Sequence, residues 1–391
     1  MPDGSTPNSM HLPSLSIRGF RGINRLDVER LGRVTLLAGR NGVGKTTVLE
    51  AVELLAARGD PPVLADIVLR HEEHRLFTDS HGEARELPEY ESLFYGREPK
   101  LGTEFTVAQC QDGALLGVEY VLPFRPREWR AFTAPDGTPF QPGAFLPVGP
   151  ELKISFDGRT RRQPLFGGVV GESPIVRERP WPMTSFADAP AGCDQADWPD
   201  PLRCSRLGPD VPDSSTLADQ WDDVALTPGE AQASSALQLA TGTDVEGVAA
   251  VGRRDQSRQR RIMIKPDRAD RVPLRSMGDG AVRIFGMSTS FVGAADGFLL
   301  IDEAENGIHH TLQREYWEMV LCAAREYNVQ VLATTHSWDC VAGFAQAAYD
   351  DEESEGLAVR LETDDEEGGV RAIEYSERTL KVAAEQGIEV R

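Results

Sequence analysis

The sequence predicts an α/β fold built on a central, mostly parallel sheet with flanking helices, preceded by N-terminal antiparallel strands and interrupted by an irregular inserted lid. Three observations predict it. Val34-Thr35-Leu36-Leu37-Ala38, Phe298-Leu299-Leu300-Ile301 and Val329-Gln330-Val331-Leu332-Ala333 are short, nearly continuous apolar runs, the pattern of strands covered on both faces. Residues 46–57, 279–291 and 312–326 have the pattern of helices, with apolar residues on one face. A glycine-rich turn, residues 39–44, joins the first of these strands to the first of these helices.

The elements follow in order. Residues 14–38 read as two short strands and a turn, with Leu15, Ile17 and Phe20 leading into Gly22 and Leu26 and Val28 after it, then the strand that enters the glycine-rich turn. The helix after that turn sets Val48, Leu49, Val52, Leu55 and Ala56 on one face. From 60 to 125 the pattern weakens to strands at 104–107 and 116–122. From 125 to 245 the chain is rich in Pro, Gly, Asp and Ser and shows no long periodic segment; residues 187–225 hold nine acidic residues, all aspartate. This stretch reads as a partly irregular insertion or lid, although Trp129, Trp181, Trp198 and Trp221 argue against complete disorder. Order resumes after 258, with strand edges at 260–264 and 271–274 and a helix at 279–291. The strand 297–301, a helix at 312–326 and the strand 328–333 come next, then a hairpin of 358–361 with 370–375. A last helix is expected from Ser376 to Gln386. The expected organisation is a disordered N-terminus over 1–13, an N-terminal part of the main domain over 14–124, the insertion over 125–257, and a C-terminal part over 258–391. Internal repeats and sustained heptads are absent.

Composition narrows the function. The 391 residues carry 62 acidic against 41 basic side chains, a net charge of −21, which disfavours a globally electropositive nucleic-acid binder. The apolar fraction of 40% suffices for a real core. No apolar run reaches membrane-span length, and residues 1–13 lack the pattern of a secretion signal, so no membrane association is expected. The five cysteines, Cys110, Cys193, Cys204, Cys322 and Cys340, are scattered and form no CxxC; a reduced cytoplasm fits, and neither a zinc site nor a disulfide framework is indicated.

Gly39-Arg40-Asn41-Gly42-Val43-Gly44-Lys45-Thr46 matches GxxxxGK[ST] between a buried strand and an amphipathic helix. Glycines let backbone N–H groups turn inward around phosphate oxygens, and the helix N-terminus adds positive potential. Gly39, Asn41, Gly42, Gly44, Lys45, Thr46 and Thr47 are therefore expected to bind a nucleotide such as ATP, with Lys45 on its terminal phosphates and the Thr46 hydroxyl on Mg2+. Leu299-Leu300-Ile301-Asp302-Glu303 is an apolar strand ending in two acids: Asp302 is expected to hold Mg2+ through water and Glu303 to polarise the attacking water. Such an ending can equally be a solvated strand end, and the phosphate loop upstream decides for the functional reading. His336, at the end of the strand that runs into Thr334-Thr335-His336-Ser337, is placed to sense a γ-phosphate; the alternative is a hydrogen-bonded core histidine.

Ser276-Met277-Gly278-Asp279-Gly280 opens a helix, and Ser276, Gly278 and Gly280 read as an anion-binding end. Arg283, one turn on, can contact phosphate or be a surface arginine. His309 and His310 lack a third metal ligand at usable spacing and read as part of a turn. Residues 253–275 carry nine basic side chains, either a contact for a phosphate backbone or a charged hairpin face.

Together, Phe20-Arg21-Gly22-Ile23, residues 39–47, 276–280 and 299–303, Glu305-Asn306-Gly307-Ile308-His309, and residues 334–338 make the chain similar to the stand-alone prokaryotic ATPases related to RecF, SMC proteins and the OLD ATPase domain. It most resembles the short "AAA family" ATP-binding proteins with SxGDG, DExENGxH and TTHSW motifs. The resemblance covers 14–60 and 258–391 and says little about 125–245. It implies an ABC-type P-loop fold and a head-to-tail homodimer with ATP and Mg2+ between the subunits, in which Ser276, Gly278 and Gly280 cap the nucleotide of the second subunit. It also implies coupling to DNA processing or anti-phage defence through an effector, such as a nuclease encoded nearby. The departures are SMGDG in place of LSGGQ, no assignable Q-loop glutamine, and the lack of SMC coiled-coil arms and of an OLD-type Toprim domain. Three functions are expected from this: an ATPase that licenses an effector, a nucleotide-gated scaffold or repressor with little turnover, and a RecF-like DNA-repair ATPase that binds DNA directly.

Overall fold

The computed structural model describes residues 10–78, 84–110, 113–121, 145–146, 150–165, 168–169, 177–178, 198–253, 256–351, 353–364, 369–375, 379–380 and 382. The chain divides into two compact units, one of residues 1–15, 28–49 and 202–391, the other of residues 16–27 and 50–201.

The first unit is built on a six-stranded sheet with the spatial order Cys204–Leu207, Phe298–Ile301, Gln330–Thr335, Val34–Gly39, Gly356–Asp364, Gly369–Tyr375. The first five strands are parallel; the last returns antiparallel as a hairpin. Every residue of Val34–Gly39, Phe298–Ile301 and Gln330–Thr335 is buried, which is why these strands read as apolar runs without alternation. The helices Gln313–Glu326 and Trp338–Asp350 pack Tyr316, Trp317, Val320, Cys340 and Phe344 into the core with Leu36, Leu299 and Val331 of the sheet. The rings of Trp317 and Phe344 meet edge to face at 5.1 Å, an arrangement favoured by the aromatic quadrupole.

A second core lies in the same unit, where the helices Ser214–Val224 and Gly229–Thr241 and the hairpin of Val245–Arg253 with Gln256–Pro266 meet the helix Asp279–Gly293. Residues 198–253 therefore depart from the irregular segment expected for this region. Leu217, Ala218, Trp221 and Val224 recur every three or four positions on one buried face. Aspartates fill the opposite face, and their density masked the period. The chain start differs too: Leu12 is buried, with its N–H on the Gln330 side chain at 2.8 Å and its carbonyl accepting from the same amide at 2.7 Å.

The second unit carries a six-stranded sheet in the order Arg159–Pro164, Glu151–Phe156, Leu115–Val121, Glu104–Ala108, Leu15–Phe20, Ile23–Val28. Arg21, in the tight turn between its last two strands, adopts φ 49°. Its side chain, 9% exposed, ion-pairs with Glu50 at 3.4 Å and Glu73 at 3.1 Å. The helix Pro61–Arg70 and the hairpin His74–Thr78 with Ala84–Pro88 were not evident in the sequence. Trp129, Trp181, Cys193, the centre of the insertion and most of the expected last helix lie outside the described residues. Among the described residues, no helix is long and apolar enough to cross a membrane.

Candidate functional site

Three neighbouring parallel strands, Phe298–Ile301, Gln330–Thr335 and Val34–Gly39, run directly into Asp302, His336 and the glycine loop, so one edge of the sheet collects all three predicted motifs. In the loop, Gly39, Gly42 and Gly44 have φ of 146°, 78° and 103°. At Gly39 a Cβ would also lie 2.6 Å from the Leu361 carbonyl oxygen, so only glycine fits there. Asn41 and Gly42 are exposed at the loop tip, and the helix Lys45–Ala56 begins at the loop's end, with Thr46 and Thr47 half-buried in its first turn. The Lys45 Nζ donates to the carbonyls of Gly39 at 2.7 Å and Arg40 at 3.0 Å. Burial lowers the Lys45 ammonium from its ordinary value, opposed by the charges of Glu305, Asp302 and Glu303.

Asp302 is buried and is the hub of a hydrogen-bonded net. Its Oδ1 accepts from the Thr334 hydroxyl at 2.6 Å and the Thr46 hydroxyl at 3.2 Å; its Oδ2 accepts from Arg206 at 3.3 Å. Thr334 also accepts the Glu303 N–H at 2.8 Å, so this one hydroxyl ties both acids to the histidine's strand. Glu303 is held at φ 50°, a conformation costly for a side chain of its size. Its carboxylate accepts from the Asn306 amide at 2.6 Å, and the same amide donates to the Pro209 carbonyl at 3.2 Å.

Arg283 is neither at the surface nor free to reach a phosphate. It is 1% exposed and donates to the main-chain carbonyls of Asp302 at 2.6 Å, Glu303 at 2.8 Å, Gly208 at 2.9 Å and Pro209 at 2.9 Å. It thereby ties together the ends of two adjacent strands. Burial lowers its guanidinium from the ordinary arginine value, with Tyr316 and the carboxylates of Glu305, Glu303 and Asp302 opposing.

His336 is largely exposed; its Nδ1 lies 3.0 Å from Glu305 Oε1, which also accepts the His336 backbone N–H at 2.8 Å. Ser276–Gly280 lies as expected at the start of the helix Asp279–Gly293, with Ser276 and Gly278 exposed and Gly278 at φ 93°. A Cβ on Gly280 would sit 2.4 Å from the Gly307 carbonyl oxygen, so the signature-like loop packs on the turn that follows Asp302 and Glu303. His309 caps a short 3-10 turn, its Nδ1 2.9 Å from the Thr311 hydroxyl. Among the described residues, no group of three or more His, Cys, Asp or Glu side chains can hold a metal ion. Of the basic stretch, Arg260 pairs with Asp222 and Asp219, Lys265 with Glu246 and Arg268 with Asp267, while Arg275 donates to the Pro212 carbonyl at 2.7 Å. Three of the nine basic residues thus have acidic counter-ions alongside.

The residues fit a magnesium nucleotide. Thr46 and Asp302 present two hard oxygen donors side by side, and Mg2+ is characteristically held by one or two such groups together with substrate phosphates. The lysine that would meet those phosphates rests on loop carbonyls. Sequence reasoning missed Arg206, Thr334, Glu305 and Asn306. Arg206 gave no signal, because it lies on a four-residue strand inside the supposed irregular region. The other three were in view in Glu305-Asn306-Gly307 and Thr334-Thr335-His336, but their partners are set only by the pairing of neighbouring strands.

Comparison with known proteins agrees with this geometry. Residues 185–339 match the family described as "AAA domain, putative AbiEii toxin, Type IV TA system" and residues 14–80 match a second AAA domain family. The chain is 49% identical over 57 residues to the DNA replication and repair protein RecF of Roseiflexus castenholzii, covering 15% of this chain and 14% of that protein. To the RecF protein of Geobacter sulfurreducens it is 34% identical over 94 residues, covering 23% and 25%. The matched regions thus span a quarter or less of these curated relatives. An SMC head solved with the C-winged helix domain of ScpA superposes with a TM-score of 0.51 at 13% identity, covering 94% of this chain and 98% of that one. The fold is that of an SMC head, and regions of the chain are similar to AAA domains and to RecF.

Proposed function

We propose that this chain binds and hydrolyses Mg-ATP, closes around it as a head-to-tail homodimer, and passes that closure to an effector protein acting on DNA. One observation carries the reading: Thr46, Asp302, Thr334 and Glu303 form a continuous hydrogen-bonded chain at the ends of adjacent parallel strands, beside a positive-φ glycine loop and Lys45. On ATP binding Lys45 exchanges its loop carbonyls for phosphate oxygens, and the N–H groups of residues 39–47 surround the phosphates. Thr46 and Asp302 would hold Mg2+, which would supply neutralisation of the charge developing on the phosphates. Glu303 orients and deprotonates the attacking water, with Asn306 fixing its carboxylate. His336 faces the γ-phosphate. The helix start at Ser276, Gly278 and Gly280, exposed at the first two of these, supplies N–H donors to the nucleotide of the partner subunit.

Repair and defence both have support as context. Two RecF relatives favour DNA repair, and the wording of the family matched over 185–339 favours a toxin-type defence system. The net charge of −21 and the internal ion pairs of the basic stretch favour DNA contact through an effector over direct binding. The test is size-exclusion mass analysis of Glu303→Gln with and without Mg-ATP, beside phosphate release by the wild type. ATP-driven dimers in the variant and turnover in the wild type are expected, with turnover in the variant reduced about 10²–10⁴-fold. ATP binding without a change in assembly, and no wild-type turnover, would establish the nucleotide-gated scaffold instead.

A further inference from the structure

We propose that Glu305 is the positioning residue for His336, fixing which ring nitrogen faces the nucleotide and coupling that histidine to the turn that carries Glu303. The inference rests on the ATPase reading above and deepens it.

The carboxylate of Glu305 is 10% exposed, an expensive place for a charge unless its oxygens are satisfied. Only one of them is. Oε1 accepts the His336 backbone N–H at 2.8 Å and lies 3.0 Å from Nδ1, whereas Oε2 is buried with no hydrogen-bond partner among the described residues. A group retained merely to strap two loops together would need only the backbone contact. A carboxylate beside Nδ1 favours a proton on that nitrogen, since it can only accept, and sets Nε2 as the edge turned elsewhere. The ring is 45% exposed, and among the described residues Glu305 is its only hydrogen-bond or ion-pair partner, so this contact selects its orientation.

The wiring around the pair is registered residue by residue. Glu303 N–H donates to the Thr334 hydroxyl at 2.8 Å, Ala304 N–H to the Thr334 carbonyl at 2.9 Å, and Glu305 accepts from His336 two positions on. A shift of the turn that moves Glu303 therefore moves the acceptor that holds His336. Glu305 is also the foremost of the three carboxylates whose charge opposes the lowering of the Lys45 ammonium by burial.

The experiment compares ATP binding and steady-state turnover for Glu305→Gln, Glu305→Ala, His336→Ala and the double alanine variant. Glu305→Ala and His336→Ala should each lower kcat about 10- to 100-fold with ATP binding little changed. The double variant should be no slower than the slower single one, because the two side chains act as a unit. Glu305→Gln keeps an oxygen that accepts both N–H groups and should restore kcat to within about threefold of wild type, a rescue consistent with orientation and not charge as the function. Losses that multiply in the double variant, or Glu305→Gln as slow as His336→Ala, would overturn the inference. Should Glu305→Ala fail to fold, the Gln variant alone decides by the same criterion. A wild type that releases no phosphate overturns the ATPase reading itself; turnover with multiplicative losses overturns only the role of Glu305.

Discussion

Each unit of this chain carries a six-stranded sheet and a buried arginine, and the two arginines are satisfied in opposite ways. In the antiparallel unit, Arg21 meets two carboxylates, Glu50 and Glu73, and Glu73 is shared with Arg97. The charges cancel locally. In the parallel unit, Arg283 meets main-chain carbonyls at the ends of two strands. The acids whose carbonyls it holds, Asp302 and Glu303, keep their carboxylates for Thr46, Thr334, Arg206 and Asn306. Parallel strands end side by side and leave carbonyls unspent at one edge. An arginine that consumes those carbonyls holds the edge rigid without neutralising its acids. The difference separates charge used to close a fold from charge kept available for a ligand.

The sharpest way to break this comparison is to remove Arg283. Arg283→Met should cost about 3–5 kcal/mol of stability, since it removes the donor to four main-chain carbonyls, that of Asp302 buried, and loosens both strand ends. It should also abolish phosphate release in whatever fraction folds, because the carbonyls it holds belong to Asp302 and Glu303. Urea denaturation and turnover per folded molecule measure the two effects. A variant of normal turnover would show that the carbonyl clamp is only structural. Arg21→Met is the counterpart in the other unit. It leaves Glu50, 1% exposed, with only the His71 imidazole beside it at 2.6 Å, and should cost about 2–4 kcal/mol. Turnover per folded molecule should stay within about twofold of wild type. Glu73 sits below the ordinary glutamate value although burial opposes it, because Ser92, Arg21 and Arg97 favour its charged form. A loss of turnover equal to that of Arg283→Met would erase the distinction between the two sheets.

The same contrast explains what could be read in the sequence. The three central strands of the parallel sheet announce themselves because both faces are covered: Phe298-Leu299-Leu300-Ile301 has no polar residue to confuse the pattern, and its end is marked by Asp302 and Glu303. Lys45, Thr46, Asp302, Glu303 and His336 were all placed by local pattern alone, and the structure brings them to one sheet edge. Arg283, Glu305 and Arg206 were not, because each acts on atoms distant in the chain: Arg283 on the carbonyl of Gly208, Glu305 on the N–H of His336, Arg206 on the carboxylate of Asp302. A side chain aimed at main-chain groups of another strand leaves no periodic trace. The helices between 214 and 241 were hidden for a different reason. Their apolar faces are short and interleaved with aspartate and serine, so composition suggested a loop where spacing specified a helix.

Asp213 tests whether the division lies between the two units or between the sheet edge that carries Asp302 and everything else. It belongs to the same unit as Arg283 but caps the helix Ser214–Val224, accepting from the N–H groups of Ser215 and Thr216 at 2.8 and 3.0 Å and from their hydroxyls. The Ser215 hydroxyl, then the Thr216 hydroxyl and N–H, hold its carboxyl well below the usual carboxylate range. A depressed value means the folded state prefers the charged form, so the contribution is fully present above the unfolded aspartate value near 4 and fades as pH falls through the lower folded value. Asp213→Ala should therefore cost about 1 kcal/mol at pH 7, a deficit that narrows as pH falls below about 4, with turnover unchanged. Denaturation of both proteins at pH 7 and pH 3 measures it. If turnover falls with the cap, the helical layer around Trp221 is coupled to the sheet edge, and the contrast holds between units. If only stability changes, the sensitivity belongs to the strand ends alone, and the unit that contains them is otherwise as tolerant as its neighbour.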